Sequence, residues 1–308
     1  MNVIANEPMN AHTSFKVGGP AKYYVKAESI DDVKEAISFA KGKDLPYFIL
    51  GNGTNLLVSD QGYDGVIITL GKFFSDTQDL GDGKLKVGAG TSLGGFARKT
   101  IKMGLDGIHK LAGVPGSLGG AIYMNAGAYG QEICQTCIEV ESLCADGSIR
   151  VRMVAECGFS YRHSLFQELN AKQGTSEIIL SATFQLTTSE ISDKDSYTLE
   201  TEMQECMAKR KASQPLNMPN AGSTFKRLDV GAEGMPQQIA PGYYIEQSGL
   251  KGYRIGGAEV STLHANFLVN AGGATASDIK SLSEYVQKTV AEKFGIQLQR
   301  EIILLGKF

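Results

Sequence analysis

The sequence predicts an α+β protein of two or three domains. Three observations carry that prediction. Short runs rich in Val, Ile, Tyr and Phe alternate with stripes of apolar residues at helical spacing. The chain has 308 residues, enough for two or three domains at the usual roughly 100–200 residues each. Glycine is abundant, with 37 copies, and two glycine-rich stretches stand out as sites of bare main chain.

Residues 22–27, Lys-Tyr-Tyr-Val-Lys-Ala, read as a first strand. Ser29 is an N-cap for the next helix, with Asp32 three residues on and Ile30, Val33, Ile37 and Ala40 as its stripe. A strand at 47–50, a glycine turn and an apolar strand at 66–70 complete a β-α-β-β unit ending near residue 71. The polar segment 71–84 marks a boundary. Leu85-Lys86-Val87 is a short strand. Ser92 opens a helix with Leu93, Phe96 and Ala97 on one face and Gly104 past its end. Ile138–Leu143 and Ile149–Met153 flank Ala145-Asp146-Gly147-Ser148, a hairpin signal. Residues 178–187 form a strong strand, and 194–212 read as a helix. Pro215 and Pro219 exclude helix before an apolar segment at 239–250. A strand follows at 267–270. A helix then starts at Thr275, with Ile279, Leu282, Val286, Val290 and Phe294 as its stripe and Gly295 as its end. The last strand is 298–305. These breaks divide the chain into domains at 1–71, 72–210 and 211–308.

Hydrophobic residues make up 42% and charged residues 20%, a globular balance. The net charge of −3 gives no basic footprint for nucleic acid. No apolar run approaches the roughly 20 residues of a membrane helix, and the first ten residues lack the basic and apolar regions of a signal peptide. The expectation is a cytoplasmic, monomeric protein without membrane insertion. Cys134, Cys137, Cys144, Cys157 and Cys206 are scattered, and the Cys134–Cys137 pair has no second pair beside it. Buried free thiols are expected, and no metal site.

The central stretch is HKLAGVPGSLGGAIYMNAGAYG, residues 109–130. Gly113, Val114, Pro115, Gly116, Ser117, Gly119, Gly120, Ala121, Asn125, Gly127 and Ala128 offer small side chains and bare backbone to a flat or anionic ligand. The turn Gly51-Asn52-Gly53-Thr54-Asn55 follows an apolar strand and exposes several N–H groups, which suits a pyrophosphate; an ordinary loop gives the same pattern. Neither stretch is a G-x-G-x-x-G fingerprint or a P-loop, so a dinucleotide held by two separate loops remains.

Three further spots carry chemistry. In FSYRHSLF, Arg162 beside Tyr161 is either a surface side chain over a core or a fixed cation for a carboxylate. In Asn220-Ala221-Gly222-Ser223-Thr224-Phe225, Ser223 is an exposed hydroxyl without the surroundings of a hydrolase nucleophile. Glu301, amid Ile and Leu, either faces water or points inward, where desolvation raises its pKa toward that of a general acid.

Taken together, TSFKVGGPA (13–21), the 49–65 loop, the 105–130 stretch, YRHSLF, PNAGSTF, GYRIGGAEVSTLHANFLVN and the terminal Glu resemble, in order, the UDP-N-acetylenolpyruvoylglucosamine reductase family. The resemblance covers nearly the whole chain. It implies an FAD-binding fold of the vanillyl-alcohol oxidase (PCMH) type in two subdomains, with a C-terminal α+β substrate-binding domain. It also implies non-covalent FAD, NADPH as reductant and UDP-N-acetylglucosamine enolpyruvate as substrate. Hydride would reach C3 of the enolpyruvyl group. Arg162 and Glu301 would stabilise the charge that develops, and Ser223 would protonate C2. Tyr161 and Lys226 would bind substrate. Only Gln167–Glu177 separates the YR box from the next strand, as in the shorter of the family's two types. The sequence departs from the family pattern at His12, at Arg227-Leu228 and at Gln299-Arg300, none of them a proposed catalytic group. Two rivals remain: an oxidase of the same flavin fold, and a flavin-binding module without catalysis.

Overall fold

The computed structural model describes residues 1–171, 176–188, 198–228 and 240–308. The expected helix start at 194–197 and the first residue of the apolar segment, Ile239, lie outside the described residues. The chain divides into two compact units. The first is Met1–Val3, Tyr24–Asn52 and Val66–Arg210; the second is Ile4–Tyr23, Gly53–Gly65 and Lys211–Phe308. A four-stranded sheet has the order Val3–Pro8, Pro20–Ala27, Tyr63–Leu70, Tyr47–Leu50, with its last pair parallel.

In the first unit, helix α1 (Ile30–Gly42) starts where Ser29 Oγ accepts the Asp32 N–H at 3.1 Å. Its Val33, Ala36, Ile37 and Ala40 are buried, the stripe read from the sequence. A five-stranded antiparallel sheet follows, ordered Ile149–Met153, Cys137–Cys144, Glu177–Gln185, Lys84–Gly88, Thr77–Gly81. The strand at 177–185 is central and buried along nearly its whole length, so its sequence reads as an apolar run without alternation. Helix α2 (Leu93–Lys102) is capped by Ser92 and stopped by Gly104 at φ +69°. Helices α3 (Leu118–Tyr123), α4 (Leu165–Ala171) and α5 (Leu199–Ser213), the last as far as Arg210, complete the unit. Phe96 meets Phe184 at 5.1 Å in a core that also holds Leu85, Leu118, Ile122 and Phe166. The segment 71–84 is more ordered than its polarity implies. It carries the strand Thr77–Gly81, which is exposed on the sheet edge and so lacks an apolar face.

The second unit packs the long helix α7 (Ala276–Phe294) against strands Arg254–Ile255, Ala258–Val260 and Leu268–Asn270, with helix α6 (Pro241–Gln247) against α7. Thr275 and Asp278 form a reciprocal capping box at the start of α7, and Asp60 accepts the next two N–H groups at 2.7 and 2.8 Å. Ile279, Leu282, Val286 and Val290 are buried with Phe15, Leu57, Phe225 and Leu268. The final strand is shorter than expected. It spans Ile303–Leu305, parallel to Leu56–Val58, and Glu301 lies in the segment leading into it.

Candidate active site

Residues 51–52 fall in the first unit and 53–55 in the second, and each part has its own contacts. In the first unit, a Cβ on Gly51 would stand 2.5 Å from Ser117 Oγ, so main chain and hydroxyl meet where any side chain would clash. The two glycine stretches of the sequence therefore touch. In the second unit, Gly53 sits at φ +61°, and a Cβ there would fall 2.0 Å from the His12 carbonyl oxygen. The Ser14 N–H donates to the Gly53 carbonyl at 3.1 Å, which explains why the TSFKVGGPA segment belongs with this turn. Asn55 donates its side-chain amide to the Glu301 carbonyl at 3.0 Å, and its own carbonyl accepts the Ile303 N–H at 3.0 Å.

The stretch 109–130 is pinned at its start by His109. That buried imidazole lies 3.0 Å from Asp106 and 2.7 Å from Glu202. Val114 closes a tight turn onto Leu111, and Ser117 caps α3 by accepting the Gly120 N–H at 3.3 Å. A third turn, Gly88–Ser92, interlocks with it. Leu118 donates to the Thr91 carbonyl and Gly119 to the Ala89 carbonyl, both at 2.8 Å. The sequence marks a strand at 85–87 and a helix from Ser92, with no site expected in the turn between them. The same signal that flagged 51–55, glycines directly after a strand, was present there. At the far end Asn125, fully buried at φ +42°, donates to Glu132 and to the Ser160 carbonyl at 3.1 and 3.0 Å. Its side chain fixes the loop. Gly127–Ala128 then pairs with Gln131–Glu132.

These residues fit a flavin dinucleotide. Thr91 Oγ1 is buried with no hydrogen-bond partner among the described residues, and the Thr91 carbonyl accepts the Leu118 N–H at the start of α3. A buried hydroxyl at this turn can donate to a polar ligand atom.

Arg162 occupies a strained position. Ser160 and His163 exchange main-chain hydrogen bonds at 3.1 and 3.2 Å, so Tyr161 and Arg162 form a two-residue turn. Arg162 has φ +53°, where an L-residue costs roughly 1–2 kcal/mol. Its guanidinium donates to the Gly127 carbonyl at 2.7 Å and the Asn125 carbonyl at 3.4 Å, and lies 5.0 Å from the Tyr161 ring centroid. Ser164 and Gln167 anchor the turn through the Tyr123 carbonyl at 2.7 and 2.8 Å. The first unit thus holds Arg162 against the end of the glycine stretch.

In the second unit, residues 224–226 run antiparallel to residues 299–301. Glu301 donates its N–H to the Thr224 carbonyl at 2.8 Å, Phe225 bridges Arg300, and Lys226 donates to the Gln299 carbonyl at 2.9 Å. Ser223 and Glu301 are therefore neighbours through main-chain pairing. Asn266 clamps the same loop. Its carbonyl accepts the Thr224 N–H at 2.8 Å, and its side chain accepts from Phe225 N and donates to Phe225 O at 3.1 and 2.9 Å. Gly222 at φ +77°, with its N–H on Asn220 Oδ1 at 2.9 Å, turns the chain so that Ser223 is half-buried and not enclosed. Tyr161 is 37% exposed, and Lys226 is half-buried.

Cys137, Cys144, Cys157 and Cys206 are buried thiols and Cys134 is half-buried. Burial pushes Cys137 up to about 12 and Cys157 up to about 11, so neither supplies a ready thiolate.

A profile of the FAD binding domain matches residues 21–152, and a profile of the UDP-N-acetylenolpyruvoylglucosamine reductase C-terminal domain matches residues 214–305. The reductase of that name from Caldanaerobacter subterraneus subsp. tengcongensis is 42% identical over 308 residues, spanning 98% of this chain and 93% of the relative. Its namesake from Bacillus subtilis is 39% identical over 304 residues, spanning 99% and 94%. The crystal structure of UDP-N-acetylenolpyruvylglucosamine reductase from Thermus caldophilus superposes with a TM-score of 0.78 at 32% identity, covering 99% of this chain and 98% of that one. With identity of this level across almost its whole length, the chain belongs to the UDP-N-acetylenolpyruvoylglucosamine reductase family.

Proposed function

We propose that this protein reduces the enolpyruvyl ether of UDP-N-acetylglucosamine to UDP-N-acetylmuramate, with non-covalent FAD as cofactor and NADPH as reductant. What carries this reading is the 42% identity, across 98% of the chain, with a reductase of that name. Residues 1–71 and 72–210 serve FAD, and residues 211–308 serve the substrate. The protein acts as a cytoplasmic monomer; among the described residues no helix is long and apolar enough to cross a membrane.

Gly51, Asn52, Gly53, Thr54 and Asn55 cradle FAD together with the 113–128 stretch, and Thr91 adds its buried hydroxyl. Bound FAD supplies the hydride that reaches C3 of the enolpyruvyl group. Negative charge then spreads over C2 and the carboxylate of the substrate. Arg162 meets that charge with a guanidinium already oriented by the Gly127 and Asn125 carbonyls, so little reorganisation is left for the reaction itself. Glu301 hydrogen-bonds the same charge. Ser223 gives its hydroxyl proton to C2 and completes the lactyl ether. A serine is a poor acid, and only a strongly basic carbon makes this transfer favourable. Lys226, three residues on, stabilises the alkoxide that Ser223 leaves. Tyr161 packs against the substrate.

The test is the purified protein. A yellow protein whose NADPH oxidation rises on adding the enolpyruvyl substrate supports the reading. Oxygen-dependent turnover of a hydroxy acid would replace it with an oxidase, and binding without turnover with a flavin module. The turn 51–55 contains no His or Cys to tether a flavin. Acid precipitation should therefore release all the colour to the supernatant.

A further inference from the structure

Asn125 holds Arg162 both at its main-chain base and at its tip. The Asn125 carbonyl accepts the guanidinium at 3.4 Å. The Asn125 side-chain amide donates to the Ser160 carbonyl at 3.0 Å, and Ser160 opens the two-residue turn from which Arg162 projects. The same amide nitrogen donates its other hydrogen to Glu132 Oε2 at 3.1 Å, and the amide oxygen accepts the Cys134 N–H at 3.1 Å. Two acceptors face the nitrogen and one donor faces the oxygen, so the amide fits in one orientation only. Asn125 is fully buried, and these contacts use both amide hydrogens. A side chain spent in this way has little left to offer a cofactor, although it stands in the stretch read as cradling one. Its φ of +42° is a conformation that asparagine tolerates better than most residues. Gly127 completes the seat. A Cβ there would lie 2.7 Å from Glu132 Cγ and 3.3 Å from the Arg162 guanidinium, so bare main chain is what lets Arg162 reach the Gly127 carbonyl.

We propose that Asn125 is a positioning residue for Arg162 and not a cofactor ligand. The proposal rests on the reading of Arg162 as the cation that meets the charge developing on the substrate. An unrestrained arginine samples many rotamers, and a preorganised cation must be held in one before the charge appears. The Asn125 and Gly127 carbonyls aim the guanidinium. The Asn125 amide keeps the turn beneath it from drifting relative to those carbonyls, because amide and carbonyl belong to one residue. Gln167 donates to the Arg162 carbonyl at 3.1 Å independently of Asn125, so loss of the amide should change the aim of the turn and not abolish the turn.

The experiment compares wild type, Asn125→Gly, Arg162→Ala and the double variant. It measures reoxidation of reduced flavin by the enolpyruvyl substrate in rapid-reaction traces and, by fluorescence titration, the dissociation constant of FAD. Glycine accepts the positive φ and keeps the main-chain carbonyl, so the substitution removes the amide alone. Asn125→Gly should slow reoxidation roughly ten- to a hundredfold, the cost of misplacing a reacting partner by about 1 Å. In the Arg162→Ala background the same substitution should have almost no further effect, because nothing is left to position. FAD should loosen far less than reoxidation slows. Asn125→Ser, which leaves a smaller gap, replaces the glycine variant if that one fails to fold. Equal losses in the two backgrounds overturn the proposal, since a purely structural residue gives additive effects. A loss of FAD affinity as large as the loss of rate also overturns it and makes Asn125 a cofactor ligand. So does wild-type reoxidation in Asn125→Gly. An Arg162→Ala variant that reoxidises like wild type would instead overturn the reading of Arg162 itself.

Discussion

The side-chain amide of Asn55 donates to the main-chain carbonyl of Glu301 at 3.0 Å, across 246 positions of sequence. One residue of the first glycine turn therefore holds the backbone of the proposed acid. Asn55 also accepts the Ile303 N–H, so it grips the main chain on either side of Ile302, directly after Glu301. Asn55→Leu should leave the Glu301 carbonyl without this donor, at about 1–3 kcal/mol. The expected result is a lower melting temperature and a slower reoxidation of reduced flavin by substrate. Thermal melts beside single-turnover kinetics check both.

Arg162 stands where a turn would normally carry glycine. Arg162→Gly and Arg162→Ala both lose the guanidinium, but only glycine relieves the positive φ. The glycine variant should be about 1 kcal/mol more stable than the alanine variant, and both should lose turnover. Arg162→Lys keeps the charge without the planar fork and should fold normally with a much reduced kcat. Denaturant melts and kcat values for the three variants test this. Equal stability for Gly and Ala would show that the φ value carries no strain.

Glu177 gives the first unit an acid-sensitive joint. It is 3% exposed. Burial alone would raise its carboxyl, but Arg152 at 2.6 and 3.0 Å, the Ser142 hydroxyl at 2.8 Å and Arg150 at 3.3 Å hold it below the usual carboxylate range. A carboxylate depressed in the folded state contributes stability above its unfolded pKa of about 4.3, lost as pH falls through the folded value. The melting temperature should therefore drop in acid below that range. Glu177→Gln should flatten the drop and cost about 3–5 kcal/mol at neutral pH, because Arg152 is left unpaired. Melts between neutral pH and strong acid decide it.

The longer helices α1, α2, α5 and α7 were legible because their signals are local, whereas the short helices α3, α4 and α6 were not, having too few turns to show a stripe. Ser29, Ser92 and Thr275 cap where the sequence places them, and the buried stripes of α1 and α7 follow from spacing. The hairpin around Asp146-Gly147 was legible for the same reason. The edge strand Thr77–Gly81 was not, since an exposed strand has no apolar face to show. Nor was the positive φ of Arg162, which contradicts the preference of its own residue type and is held by contacts to Asn125 and Gly127. The pairing of residues 224–226 with 299–301 joins segments more than seventy positions apart, and no local pattern encodes it. The Gly88–Ser92 turn has a local glycine signal, but its interlock with Leu118 and Gly119 is non-local and no spacing encodes it.

Glu301→Gln should separate the two half-reactions. Reduction of the flavin by NADPH needs no acid at substrate C2 and should stay near normal. Reoxidation by the enolpyruvyl substrate should slow by roughly 10²–10⁴, the usual worth of a positioned acid. Stopped-flow traces of each step measure it. An equal fall in both would make the Glu301 side chain structural and not a part of the chemistry.

The most direct test is Ser223→Ala followed by rapid-reaction absorbance of the flavin. Ser223 follows Gly222 in a loop clamped by Asn266, and losing one oxygen leaves that clamp intact. Bleaching by NADPH should proceed at the wild-type rate. Reoxidation by the enolpyruvyl substrate should fall by at least roughly 10²–10⁴, with Ser223→Cys between the two because it keeps a transferable proton. An alanine variant that reoxidises and turns over like wild type would contradict the account and require another proton donor to C2.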